Sequence, residues 1–222
     1  MTPSDQADTT ALRNQPTRER VYLHVREQIL RGRFAGGSFI EEEAIASTLG
    51  VSRTPVREAF QRLEAERFID LVPRRGALVR QVTAQELLDL YEARRVIEGH
   101  AIRRICHDRI ALPADTRKIL EAWERMPPSD HFHRVELNQR FHFSVVAAAG
   151  NVILSELYQS LAARQQRVAM TAISADPTRA ARISVEHHAL VDALDRWDEA
   201  AALAVLEDHL RPIMGVMSRL PA

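Results

Sequence analysis

From Ala84 to the C-terminus, apolar residues recur at helical spacing and no alternating strand pattern survives, so this stretch can bury its core only by packing helices on one another. Six segments are expected: about Ala84 to His107, Ala114 to Arg125, His131 to Ala149, Val152 to Ile173, Pro177 to Arg196 and Asp198 to Ser218. The breakers between them are Leu112-Pro113, Met126-Pro127-Pro128, Gly150-Asn151, Asp176-Pro177 and the corner Arg196-Trp197-Asp198. Such short connections make consecutive helices antiparallel neighbours, which predicts an antiparallel six-helix bundle over 84–222.

The preceding residues have a different texture. Val21, Val25, Ile29 and Leu30 mark a helix from Thr17 to Arg31 that Gly32 and Gly36-Gly37 stop, and a short helix from about Glu41 to Leu49 ends at Gly50. Ser52 reads as the N-cap of a third helix, with Pro55 in its first turn and Val56, Phe60 and Leu63 as its buried stripe. Phe68 to Val72 and Ala77 to Val82 then read as a β-hairpin whose tip is Pro73-Arg74-Arg75-Gly76. The fold class is therefore mainly α, with a winged helix-turn-helix over 16–82, the bundle over 84–222, and a polar, unstructured tail over 1–15.

The 222 residues suffice for two cores, and a composition of 45% hydrophobic and 27% charged residues excludes a disordered chain. Every apolar run is interrupted by charge well before the roughly 18 residues of a membrane span. The start of the chain lacks a secretion signal, so a cytoplasmic location is expected. The lone Cys106 excludes an internal disulfide framework. Net charge is zero, yet Arg53, Arg57, Arg62, Arg67, Arg74, Arg75 and Arg80 outnumber the nearby carboxylates, a modest footprint for nucleic acid.

The third helix gives that footprint a geometry. Arg53 and Arg57 lie four residues apart on one face, and Ser52 and Thr54 add hydroxyls beside the unpaired N–H groups of the helix start. Arginine can take both guanine acceptors or clamp a phosphate, while Arg74 and Arg75 flank Gly76 where the hairpin could approach a groove. Double-stranded operator DNA is the partner this pattern predicts.

Leu49-Gly50-Val51-Ser52-Arg53-Thr54-Pro55-Val56-Arg57-Glu58-Ala59 resembles the signature of the GntR family of regulators, and the likeness extends from about Thr17 to Val82. Three departures stand out. Gly36-Gly37 replaces the usual Pro-Gly, Arg67 replaces a common Gly, and Glu43 occupies a position where relatives often carry a DNA-contacting Arg.

The helical half resembles the FCD effector domain of the FadR-like branch. The resemblance rests on Leu90 to Glu98, on Asn138-Gln139-Arg140-Phe141-His142 leading to Ala149-Gly150-Asn151, and on Glu186-His187-His188 followed by Asp208-His209-Leu210. Six helices resemble the VanR-type subgroup. The resemblance implies a divalent metal, zinc or nickel, held by His142, His187 and His209 with Asn138 where the family has Asp; an amide oxygen there adds no charge. His187 is preferred over His188, since neighbours on a helix point about 100° apart and only one can face a site. Arg94 occupies a position the family turns toward the effector, and Glu98 or an incoming carboxylate would neutralise it. Asn151 reads as a helix cap.

The resemblance thus implies a homodimeric repressor or activator, not an enzyme, whose operator affinity follows a small organic acid bound at or near the metal. One alternative keeps the DNA-binding role with a structural or absent metal and an apolar acyl effector. A remoter alternative is a metal-dependent hydrolase, against which stands the absence of a His-Glu-x-x-His pattern.

Overall fold

A computed structural model describes residues 15–176 and 178–221. The expected tail over 1–15 lies, except for Gln15, outside the described residues. Two compact units divide between Gln81 and Val82.

In the first unit, α1 (Thr17–Leu30) and α3 (Arg53–Ala65) pack together, with α2 (Glu42–Leu49) against α3. Val21, Val25 and Ile29 of α1 meet the stripe Val56, Ala59, Phe60 and Leu63 of α3, all buried. Gly50 ends α2 with φ +63°, and the Val51 N–H reaches back to the Ala46 carbonyl at 3.0 Å, a tight reversal that aims α3 away from α2. Ser52 holds the N-cap position in extended conformation, but its hydroxyl makes no capping bond.

The hairpin β2 (Ile69–Val72) and β3 (Gly76–Val79) forms as expected and gains a third strand, β1 (Phe39–Ile40), in the antiparallel order β1-β3-β2. Gly76 is required by that third strand: at φ +93°, a Cβ there would lie 2.5 Å from the Ile40 carbonyl oxygen. Arg67, where a Gly is common in relatives, sits at φ +65°, a conformation that strains any residue with a Cβ.

The second unit is all helical: α4 (Ala84–Asp108), α5 (Ala114–Arg125), α6 (His131–Ala148), α7 (Val152–Ser160), α8 (Ala162–Ala175), α9 (Arg179–Asp195), α10 (Glu199–His209) and α11 (Met214–Met217). Its segmentation is finer than the sequence suggested. The segment expected from Val152 to Ile173 breaks at Leu161, whose N–H bonds three residues back to Tyr158 instead of four, and neither Gly nor Pro marks the place. The last segment stops at His209 because Pro212 has no N–H to continue it, leaving α11 as a separate turn. Val82, expected in the hairpin, instead packs with Leu87, Leu90, Val168, Ala172 and Val216 of this unit.

Thr83 caps α4 by accepting from the Glu86 N–H, and Asn151 caps α7 by accepting from the Leu154 N–H. α6 packs against α4, α5, α7 and α8, while α9 and α10 pack as a pair with α10 against α4. Phe141, Ile102, Ile105, Tyr158, Leu194 and Leu206 are among the fully buried side chains at the centre.

Candidate functional site

Three helices of the bundle each bring one imidazole to its interior. His142 on α6, His187 on α9 and His209 at the end of α10 are all buried, and their ligand atoms lie within 4.8 Å of one another. Phe141 fixes one ring by stacking on His187 at a centroid distance of 4.1 Å, and Trp123 meets the same ring edge-on at 5.9 Å. His188 points the other way, exposed, toward the Ser184 carbonyl and Glu124.

Two carboxylates brace these rings from behind: Glu98, expected only as one alternative partner of Arg94, and Glu186, to which sequence reasoning gave no role. Glu98 accepts from Arg94 Nε at 2.7 Å through Oε1, and its Oε2 lies 2.8 Å from His142 Nδ1. Glu186 repeats the scheme: Oε1 takes Arg179 Nη1 at 2.9 Å, and Oε2 lies 2.7 Å from His209 Nδ1. Each is an arginine–carboxylate–imidazole chain, and each assigns the ring proton to Nδ1 and leaves an Nε2 lone pair facing inward. His142 Nε2 and His187 Nε2 are 3.1 Å apart, so without a ligand one must donate to the other. With His142 protonated on Nδ1, the donor is His187, whose Nδ1 is left without a partner among the described residues.

Burial disfavours the imidazolium at all three positions. It pushes His142 below its ordinary range against the opposing pull of Glu98, and pushes His187 and His209 well below it, with His142 adding to the effect. For Glu98, burial would raise the carboxyl, but the Arg94 guanidinium and then His142 hold it well below the usual carboxylate range. Tyr158 on α7 donates its hydroxyl to Glu98 Oε1 at 2.7 Å, and burial pushes its own pKa well above the ordinary range, keeping the hydroxyl protonated.

These residues fit a divalent metal by their donor chemistry. Neutral imidazoles, inward Nε2 atoms and carboxylates behind two of the rings are what such an ion requires. Asn138, one turn before His142, is buried with its Oδ1 unpartnered among the described residues. Arg94 is 6% exposed, and its Nη2 finds no acceptor among the described residues. Both polar atoms of the buried Gln165 on α8 are likewise unpartnered. Both oxygens of Glu98 and of Glu186 are committed to arginine and imidazole partners, which makes them braces for the rings.

In the other unit, Ser52, Arg53, Thr54 and Arg57 lie exposed at the start of α3, and Arg74 and Arg75 lie exposed at the hairpin turn. Arg53, Arg57, Arg74, Arg75 and Gly76 border one cleft of about 810 Å³. Arg75 also lies over the Phe39 ring, 4.3 Å from its centroid.

Residues 17–79 match the gntR family of bacterial regulatory proteins, and residues 89–212 match the FCD domain. The chain is 33% identical over 193 residues to the Nta operon transcriptional regulator of Aminobacter aminovorans, covering 83% of this chain and 88% of that one. It is 31% identical over 199 residues to a protein of Paenarthrobacter nicotinovorans described as the probable D-xylose utilization operon transcriptional repressor, covering 87% of each. A solved structure of a transcriptional regulator GntR from Rhodococcus sp. RHA1 is similar with a TM-score of 0.72 and 27% identity, over 87% of this chain and 93% of that one. No helix among the described residues is long and apolar enough to cross a membrane.

Proposed function

The chain belongs to the GntR family and carries an FCD domain, which makes it a DNA-binding transcription regulator, and we propose that its signal is a small carboxylate bound at a divalent metal inside the helical unit. The buried triad of His142, His187 and His209, two members of which are braced by an arginine-backed carboxylate, carries this reading. Zinc and nickel suit three neutral imidazoles, and Asn138 supplies a weaker oxygen. The metal contributes a positive charge for an anionic ligand. Arg94 Nη2 supplies a second, protein-borne contact for the same carboxylate. An acyl effector would leave Arg94 and Asn138 unpaired against hydrocarbon, which disfavours the apolar alternative.

On the DNA side, the start of α3 enters the major groove with Ser52, Arg53, Thr54 and Arg57. Arg74 and Arg75 beside Gly76 take phosphates. A homodimer on an inverted repeat would place two such helices about one turn apart, roughly 34 Å.

Calorimetric titration of metal-stripped protein with zinc and nickel tests the metal. His142→Ala and His209→Ala should weaken binding beyond the roughly 10–100-fold that loss of a hydrogen-bond partner behind a ligand costs. His188→Ala should match wild type, and Asn138→Asp should bind more tightly because it adds charge. Wild-type affinity in both alanine variants would make the triad a packing feature and end the metal reading.

A further inference from the structure

The arginines at the start of α3 are not held like those of the hairpin. Arg53 is ion-paired to Glu43, and Arg57 Nε donates to Glu42 Oε2 at 2.7 Å. Both carboxylates come from α2, across the Gly50 reversal, and all four side chains line the cleft that faces the hairpin. Arg74 and Arg75 border the same cleft with no carboxylate partner among the described residues. One wall of the cleft thus carries bare positive charge, while the other carries two arginines already paired and the further carboxylate of Glu41.

That asymmetry matters because bare and paired arginines respond to DNA differently. Non-specific attraction grows with the net positive charge brought to the phosphates, through counterion release. An arginine beside a carboxylate adds almost nothing to that sum, and its partner is repelled by the backbone. The pairs are also easily exchanged: Arg53, Arg57 and Glu43 are at least 60% exposed, and ion pairs this open are worth at most about 1 kcal/mol. A docked pair loses nothing only where both members find new partners. In the major groove a G·C base pair offers that, since guanine presents O6 and N7 to a guanidinium and cytosine presents its N4 amino group to a carboxylate.

We infer that Glu42 and Glu43 are specificity determinants of the DNA-reading surface. They compensate the charge of Arg57 and Arg53 against non-specific DNA and release them where guanine acceptors and a cytosine amino group replace both members of a pair. The inference rests on the proposed placement of α3 in the major groove.

The test uses full-length protein and fluorescence anisotropy with two labelled duplexes, one of random sequence and one enriched by in vitro selection on the wild type, across a salt series. Glu43→Gln and Glu42→Gln should bind the random duplex at least fivefold more tightly. Their salt dependence should steepen by about one unit of log–log slope per arginine freed, so that the preference for the selected duplex shrinks. Repeating the selection with Glu43→Gln should weaken the enrichment of the G·C pair over the other base pairs at the position Arg53 reads. Glu43→Ala serves as a second variant should the amide destabilise the unit. Unchanged random-duplex affinity and slope in the glutamate variants, with Arg53→Ala still weakening the selected duplex, would overturn the role of the carboxylates and leave the α3 reading standing. Selected-duplex affinity that survives both Arg53→Ala and Arg57→Ala would remove that reading, and the inference with it.

Discussion

Replacing Glu98 by glutamine is the most demanding test of the buried network, because the exchange keeps shape and changes only charge and one hydrogen-bonding atom. Glu98 is 1% exposed and meets three groups at 2.7–2.8 Å: Arg94 Nε, the Tyr158 hydroxyl and His142 Nδ1. Whichever way the amide turns, its NH₂ faces at least one of those donors. The larger consequence is at Arg94, where burial opposes the charged form but the Glu98 carboxylate outweighs it and raises the guanidinium's hold on its proton. The glutamine variant therefore strands a buried cation. Removing one partner of a buried pair costs about 3–5 kcal/mol. At roughly 3–5 °C per kcal/mol for a unit of this size, the melting point should fall by roughly 10–25 °C. Trp123 and Trp197 are the only tryptophans and both lie in the helical unit, so fluorescence-monitored urea unfolding in chelator reports on that unit alone. Adding Arg94→Met should recover more than half of the loss, since the stranded charge goes with it. A cost below about 1 kcal/mol, or a double variant no more stable than the single, would refute this account of the network.

Two further outcomes follow from the same structure. Burial holds His187 and His209 neutral well below the ordinary imidazole range, so as pH falls the unfolded chain takes up protons first. Chelated protein should be evenly stable above about pH 6.5 and lose up to about 1.4 kcal/mol per pH unit for each imidazole below it; urea midpoints that stay level down to pH 5 would contradict this. In the other unit, Arg67→Gly removes the Cβ from a residue at φ +65° and should stabilise by up to about 1 kcal/mol, and slower exchange of the Phe68 and Ile69 amides is the readout, with faster exchange counting against it.

What the sequence disclosed was mostly local. Gly50, the stripe Val56-Phe60-Leu63 and the Asn151 cap depend on residues within a turn or two of one another, and each is found where the pattern put it. β1 escaped notice because two residues carry no period, and its pairing with β3 spans almost forty positions. The break at Leu161 has no Gly or Pro to announce it, whereas Pro212 is a stop signal for α10 that lies inside the segment expected from Asp198 to Ser218. The histidines drew attention through a family resemblance. Their braces could not be seen that way: Glu98 is 44 residues from His142 and 60 from Tyr158, and Glu186 serves His209 on the next helix instead of its own neighbour His187. Only tertiary approach reveals such partners.

One carboxylate shared by α4, α6 and α7 also constrains how this protein can change over time. Arg94, Glu98, His142 and Tyr158 are coupled: loss of Arg94 or Glu98 strands a buried charge, and loss of His142 or Tyr158 takes a hydrogen bond from the Glu98 carboxylate. Descendants retuned for a new ligand would keep the quartet whole and vary the residues around it, or exchange all four together. An engineer grafting this centre into another bundle meets the same rule, and must carry the glutamate and tyrosine along with the histidines.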